Sequence, residues 1–326
     1  MLHLLDAASP QAVPATCACL RALARADAQQ RVVLFGGEPL RAAAAKVGLK
    51  ADAVLAPPLG KPWLNLNAAR RTAAQVCGGA PPAVTAWSID SLLFARLAFA
   101  RTPAALVLLQ APTEAQVRLL GLLQRIRPFE LQAPRALLAG GTLAQVMAKR
   151  AVTPIDPPVA LPSSPAASDG FASIALVGLH ADAWRGAQVL GIAEAARGIL
   201  PGMTPRARLR VHPRQPGLAH ATRLVCNLRQ PERLAETPAM DAPWLLPEDC
   251  AAALVLSSPR GPDATQTLAL PWLAHQNWPL IAEDTPALRC LLDGATSIQW
   301  VKAGDIPALA HACGQVMKNR QNPAAA

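Results

Sequence analysis

The chain of 326 residues has no tyrosine, and aromatic residues make up only 4% of it, from seven Trp and five Phe. Nucleic-acid surfaces interleave aromatics with basic residues to stack bases. That pattern and any RNA- or DNA-binding motif are missing, so no nucleic-acid partner is expected. Charged residues are also sparse, at 16% against 52% hydrophobic. That balance excludes a disordered chain. No apolar run reaches the roughly 18 uninterrupted residues of a membrane-spanning helix. The opening stretch MLHLLDAASP carries Asp6 and no basic region. No secretory signal is therefore expected, and a cytoplasmic protein, with peripheral membrane attachment left open, is the expectation.

The usual chemical signatures are absent as well. No GxGxxG follows the first apolar run and no GxxxxGK[ST] occurs, which removes the common dinucleotide and P-loop readings. GxSxG, HExxH and CxxC are missing too. The six His, at 3, 180, 212, 220, 275 and 311, never pair at metal-ligand spacing. The seven Cys are scattered, and the only close pair, Cys17 and Cys19, has no matching second pair for a zinc site. They read as small core residues, and no structural disulfide is expected.

What the chain does have is Arg, 25 against 6 Lys, and a net charge of +10 that is unevenly placed. Residues 1–165 carry 17 Lys+Arg and 8 Asp+Glu, giving +9; residues 166–326 carry 14 and 13, giving +1. A field of that sign suits an anionic substrate or an acidic membrane surface, although solubility and Arg-rich composition account for it equally well.

Short apolar runs alternate with helical patterns throughout. In the first half, strands are expected at Leu2–Asp6, Val32–Phe35, Ala53–Leu55, Ala83–Trp87, Ala105–Leu109 and Ala136–Ala139. Helices are expected over Gln11–Ala26, Pro39–Val47, Asn67–Val76, Ser91–Ala100, Glu114–Arg127 and Leu143–Arg150. The stretch Thr153–Gly170, with five prolines, breaks the rhythm and reads as an interdomain linker. The rhythm then restarts. Strands are expected at Ser173–Leu179, Arg208–Val211, Ala253–Leu256, Leu280–Ala282 and Ile298–Val301. The helices are Gln188–Leu200, Leu218–Leu228, Leu268–Gln276, Ala287–Leu292 and Ile306–Met317, and Pro231–Cys250 reads as irregular. The expectation is two doubly wound Rossmann-like parallel-sheet α/β domains facing a cleft: residues 1–160, a linker at 161–170, and 171–320. In such sheets, ligands bind beyond the carboxyl ends of the strands.

Three blocks of the second half carry a resemblance: SIALVGLHADAWRG, then AALVLSSPRGPDATQTLALPWLAHQNWPLIAEDTPALRCLLDG, then SIQWVKAGDIPALAHA. Their order resembles the donor domain of GT-B glycosyltransferases, nearest to the retaining nucleotide-sugar enzymes of family 4 with an E-x7-E motif. In the first block Gly178 matches, Leu179 stands for the family's Arg, and Arg185-Gly186 stands for its Lys-Gly. The family's two glutamates fall on Ala264, or near Arg260, and on Trp272. In the first half, Asp6-Ala7-Ala8-Ser9-Pro10 replaces a Gly-rich loop, and Trp87-Ser88 and Gln110 stand near the family's His positions. The resemblance implies a nucleotide-sugar as donor substrate, an anionic or membrane-associated acceptor on the basic half, and no metal, because helix dipole and Arg replace the cation. The substituted glutamates make an inactive scaffold or partner subunit the alternative, and a sugar-nucleotide epimerase on the same fold a third reading.

The residues themselves offer one anion site. The loop Arg260-Gly261-Pro262-Asp263-Ala264-Thr265 leads into a helix, whose N-terminal N–H groups and positive dipole suit a diphosphate. The alternative is that Thr265 or Thr267 is simply its N-cap. Arg185 and His212 are the other donor-side candidates, each with a solvated or turn role as the alternative. Catalytic residues are not assigned. Trp272 and Trp278 read as core, and Arg70-Arg71 as a solvated helix face.

Overall fold

A computed structural model describes residues 1–6, 13–26, 29–35, 37–46, 48–55, 67, 71, 74–76, 78–139, 151–156, 173–177, 208–211, 223, 234–236, 250–258 and 261–321. The chain divides into two compact units, Met1–Ala160 and Leu161–Ala326.

The first unit runs β1 (Leu2–Asp6), α1 (Val13–Ala26), β2 (Arg31–Phe35), α2 (Gly37–Lys46), β3 (Ala53–Leu55), β4 (Val84–Ala86), α3 (Ile89–Ala98), β5 (Ala104–Val107), α4 (Glu114–Ile126), β6 (Glu130–Pro134), α5 (Arg135–Ala139) and β7 (Val152–Ile155). Its strands form one parallel sheet in the order β3-β2-β1-β4-β5-β6-β7. The order reverses between β1 and β4. On one face of the sheet Leu2, Leu4, Val84, Ala86, Leu106 and Leu131 pack against α3 and α4. Residues of the other register, such as Val32 and Leu34, are buried as well. Burial on both faces explains why the strands are near-continuous apolar runs rather than alternating ones.

The second unit contains β8 (Ser173–Leu176), β9 (Arg208–Val211), β10 (Leu234–Glu236), β11 (Cys250–Val255), α6 (Ala264–His275), β12 (Leu280–Asp284), α7 (Pro286–Leu291), β13 (Ile298–Lys302) and α8 (Ile306–Gln321). Its parallel sheet has the order β10-β9-β8-β11-β12-β13. Leu176, Leu209, Leu254, Ile281 and Val301 form its core with Leu309, Ala312 and Cys313 of α8. All six residues of β11 are buried, as a central strand requires. Here the order reverses between β8 and β11.

Local chemistry starts the helices. Ser88 caps α3 and Thr113 caps α4, each in a capping box with the residue three further on. Thr285 caps α7, whose first residue is Pro286, where the missing N–H is not needed.

Three expectations are corrected. Ala136–Ala139 lies in a helix, and the strand is the preceding Glu130–Pro134. The run RALLA has no β-branched residue, and apolar runs this short do not separate strand from helix. Val152–Ile155 is a strand although it enters the proline-rich stretch read as linker. Among the described residues it lies at the sheet edge, paired with β6 alone, a position that tolerates Pro154. The irregular stretch Pro231–Cys250 contains β10, also at an edge. The helices expected at Leu143–Arg150 and Gln188–Leu200, all of Leu218–Leu228 except Arg223, most of Asn67–Val76, and residues 161–170 lie outside the described residues.

Candidate functional site

The site-bearing region of the second unit is the carboxyl edge of its sheet, where β8 and β11 part company in direction of winding. The chain leaves β11 through Leu256, Ser257 and Ser258 and re-enters regular structure at α6. Asp263 is the N-cap of α6, and its carboxylate accepts a hydrogen bond from the Gln266 N–H at 2.7 Å. The cap is therefore Asp263, not Thr265 or Thr267. Those two threonines lie inside the first turns and are buried, with 4% and 1% exposure. The Thr267 hydroxyl has no hydrogen-bond partner among the described residues.

Gln266 is the organising side chain of this edge. It is 1% exposed, and its Nε2 donates to the Val177 carbonyl at 3.2 Å and to the Leu256 carbonyl at 2.9 Å. Those carbonyls lie just past the ends of β8 and β11. One side chain thus ties the start of α6 to both strands flanking the reversal point. Its Oε1 completes the box by accepting from the Asp263 N–H at 3.4 Å.

A second buried side chain gathers the neighbouring loops. Glu283, near the end of β12, is fully enclosed. One carboxylate oxygen accepts from the Ser257 N–H at 2.5 Å and the Ser257 hydroxyl at 2.6 Å; the other accepts from the Gly304 N–H at 2.7 Å. Glu283 therefore joins the loop after β11 to the turn after β13. Beyond it, Asp284 and Arg289 form an exposed pair at 2.5 Å, and the Arg289 guanidinium lies 4.8 Å from the centre of the Trp300 ring. The hydrogen bond and charge of Arg289 hold the Asp284 carboxyl below its usual range.

Of the sequence-predicted donor-side residues, the structure places Gly261, Asp263 and Thr265 on this edge. Gly261 has φ of +86°, a left-handed conformation that favours glycine in the turn before α6. Asp263 brings a negative charge to the helix start. Arg185, His212 and Arg260 lie outside the described residues. Gln266 and Glu283 were missed from the sequence. Gln266 had a signal, since Asp263 with Gln three positions later is the spacing of a capping box. Glu283 had only the oddity of an acid ending the apolar run PLIA.

Among the described residues, the edge offers backbone hydrogen-bond donors. By helix geometry the N–H groups of Ala264 and Thr265 have no intrahelical partner. The buried thiols are inert: desolvation pushes Cys17, Cys19 and Cys313 up to about 12. Among the described residues, Cys17, Cys19, Cys250, Cys290 and Cys313 take part in no disulfide.

The first unit contains a cavity of about 580 Å³ over one face of its sheet, with His3, Thr85, Trp87, Val107 and Gln132 among its walls. The Trp87 and His3 side chains in its wall are both hydrogen-bonded. Trp87 Nε1 donates to His3 Nδ1 at 3.2 Å, which leaves His3 Nε2 to donate to Gln30 Oε1 at 2.7 Å. Burial pulls the His3 pKa below its ordinary value, more strongly than the Gln30 hydrogen bond raises it.

Two doubly wound parallel-sheet α/β units in series place the chain in the GT-B fold class. Solved structures of glycosyltransferases and a related epimerase share that architecture along nearly its whole length. HepE of Anabaena, solved with UDP-glucose, has a TM-score of 0.65 at 13% identity, covering 98% of this chain and 91% of its own. A glycosyltransferase from Rickettsia africae has a TM-score of 0.59 at 11% identity, covering 98% of this chain and 88% of its own. A Listeria monocytogenes protein assigned as a UDP-N-acetylglucosamine 2-epimerase has a TM-score of 0.58 at 13% identity, with coverage of 98% and 88%. No family model matches the chain. No curated protein matches its sequence.

Proposed function

We propose that this protein binds a nucleotide-sugar on the second unit and transfers the sugar to an anionic or membrane-associated acceptor. The observation that carries the reading is the carboxyl edge at the β8/β11 reversal point. Gln266 fixes the start of α6 there, and the first N–H groups of that helix face no intrahelical partner. A diphosphate seated at this helix start is stabilised by those N–H groups and by the dipole. Gly261 permits close approach of the loop. Arg185, Arg260 and His212 supply the remaining donors, so that no metal is needed. In the transfer, the bond from the anomeric carbon to the diphosphate breaks and the nucleoside diphosphate leaves with the electron pair. An acceptor hydroxyl oxygen bonds that carbon, and its proton passes to the departing diphosphate. Structural neighbours crystallised with UDP and UDP-glucose support the nucleotide part of the reading.

The second reading is a binding module without transferase activity. It is favoured by Ala264 and Trp272, which stand where the resembling family has its two glutamates. Trp272 is buried at 8% exposure as a core residue and leaves no carboxylate there.

The test is a thermal-shift screen with UDP-, GDP- and ADP-sugars, with and without EDTA. At a free ligand concentration of 100 times Kd the stabilisation is about 2.7 kcal/mol. Binding that survives EDTA, followed by release of nucleoside diphosphate with an acceptor, supports transfer. Binding without release supports the module. No binding at millimolar concentration ends both.

A further inference from the structure

Helix α4 is apolar on two sides. Leu120 is fully buried, and Leu119 and Leu123 pack beside it against the core of the first unit. On the outside, Leu122 is 55% exposed and Ile126 is 72% exposed. They stand four residues apart, so they share one stripe of the helix. Nothing in the sheet's packing requires large aliphatic side chains there.

The surroundings of that stripe are basic. From Ala115 to Phe129 the sequence has Arg118, Arg125 and Arg127 and no acidic residue. Glu114, in the first turn, is bound by Arg118 at 2.6 Å. At the other end of α4, Arg96 of α3 donates from Nη2 to the carbonyls of Arg127 and Pro128, at 3.2 and 2.6 Å. The Arg96 guanidinium packs 5.6 Å from the centre of the Phe129 ring. Burial, and next the neighbouring Arg127 charge, lower the Arg96 pKa from its usual value, so the two cations stand close enough to repel. All of this lies in the half of the chain that carries +9, from 17 basic and 8 acidic residues.

We propose that the outer face of α4 seats on an anionic lipid surface, with Leu122 and Ile126 entering below the headgroups and Arg118, Arg125 and Arg127 meeting the lipid phosphates. The face is one convex helix side with two aliphatic residues. A stable protein–protein interface needs about 800 Å² from each partner, which two side chains do not supply. A membrane surface needs only a small apolar insertion combined with basic residues within a Debye length of acidic lipid. Nucleic acid would call for aromatic side chains among the arginines, and the helix has none. The inference concerns where the protein acts, goes beyond the donor-site reading, and does not depend on it.

The experiment is vesicle flotation of the full-length protein. Vesicles of phosphatidylcholine alone are compared with vesicles of phosphatidylcholine and phosphatidylglycerol in equal parts, at low and high salt. The wild type floats with the anionic vesicles, not with the neutral ones, and binding falls steeply with salt. Leu122→Gln with Ile126→Gln weakens binding about tenfold or more and leaves the melting temperature unchanged, since both residues are exposed. Arg125→Gln with Arg127→Gln does the same. Lys50→Gln with Arg71→Gln removes equal charge from exposed positions elsewhere in the unit and preserves binding. Equal loss in that control, equal flotation with neutral vesicles, or full binding by the Leu122/Ile126 variant overturns the proposal. So does sedimentation showing a dimer that the Leu122/Ile126 variant abolishes while no vesicles are bound; the face would then belong to a second copy. UDP-glucose binding, read by thermal shift on the same proteins, is unchanged in the variants, so failure of the lipid face is seen apart from failure of the donor site.

Discussion

His3 has both ring nitrogens committed, one accepting from Trp87 and one donating to Gln30. Protonation of the ring would turn the first nitrogen into a donor facing another donor. Burial pulls the folded pKa below the ordinary 6.5. The unfolded chain therefore binds the proton more readily than the folded one, and stability increases with pH across the interval between the two values. The contribution is complete above about 6.5 and is lost as pH falls through the folded pKa. Melting curves from neutral to mildly acidic pH should show the wild type losing stability, with His3→Gln flatter over the same range. Equal slopes would remove His3 as the titrating group. In the other unit, Gln266 satisfies the carbonyls of Val177 and Leu256 together. Gln266→Leu fills the space but strands those acceptors, and should cost about 2–3 kcal/mol in urea unfolding. Thr267→Val, by contrast, removes a buried hydroxyl that has no partner among the described residues. It should raise the unfolding free energy by about 1 kcal/mol.

At the scale of elements, the start of α6 decides between two uses of the same helix end. Asp263 stabilises the helix as its cap, and Asp263→Ala should cost about 1 kcal/mol. Its charge also occupies the neighbourhood that a diphosphate would take. Asp263→Asn keeps the cap and removes the charge. If the nucleotide sits at this helix end, that variant should bind UDP-glucose about two- to fivefold more tightly by calorimetry, since a charge at a helix terminus is worth about 0.3–1 kcal/mol. Weaker binding would instead make the carboxylate a ligand contact. The loop was legible in the sequence as a loop entering a helix, and the Asp263–Gln266 spacing carried its capping box although Thr265 and Thr267 were the caps expected; the two carbonyls that Gln266 reaches were not legible. A capping box is local and readable; a bond to Val177, 89 positions away, depends on which strands are neighbours. The same distinction separates the elements read well from those missed. β2 and β12 are apolar runs with turn residues beside them. β7 and β10 are edge strands of four and three residues, and a strand paired on one side needs little patterning. The run RALLA became α5 because nothing in five residues favours extension.

At the scale of the whole molecule, the alternation of strand and helix made two parallel sheets legible, because a sheet buried on both faces prints itself as repeated apolar runs. A reversal of strand order was implied by the doubly wound reading, but its place in each sheet was not legible, since any right-handed crossover satisfies the same rhythm. Yet that reversal between β8 and β11 is what puts Gln266, Ser257 and Glu283 on one edge. Charge divides the molecule as well, with +9 on residues 1–165 and +1 on residues 166–326. A basic field on the first half and helix-end donors in the second imply that nucleotide binding should register in one unit. Hydrogen exchange with UDP-glucose at 100 times Kd tests this directly. The amides of β8, β11 and the first turns of α6 should be protected by up to about 2.7 kcal/mol, and those of β1 to β7 should exchange as in the free protein. The added protection should also persist at high salt, because contacts at a half-buried helix end are screened far less than exposed charges. Protection centred on the first unit, and lost with salt, would move the nucleotide to the basic sheet and leave the α6 edge as structure alone.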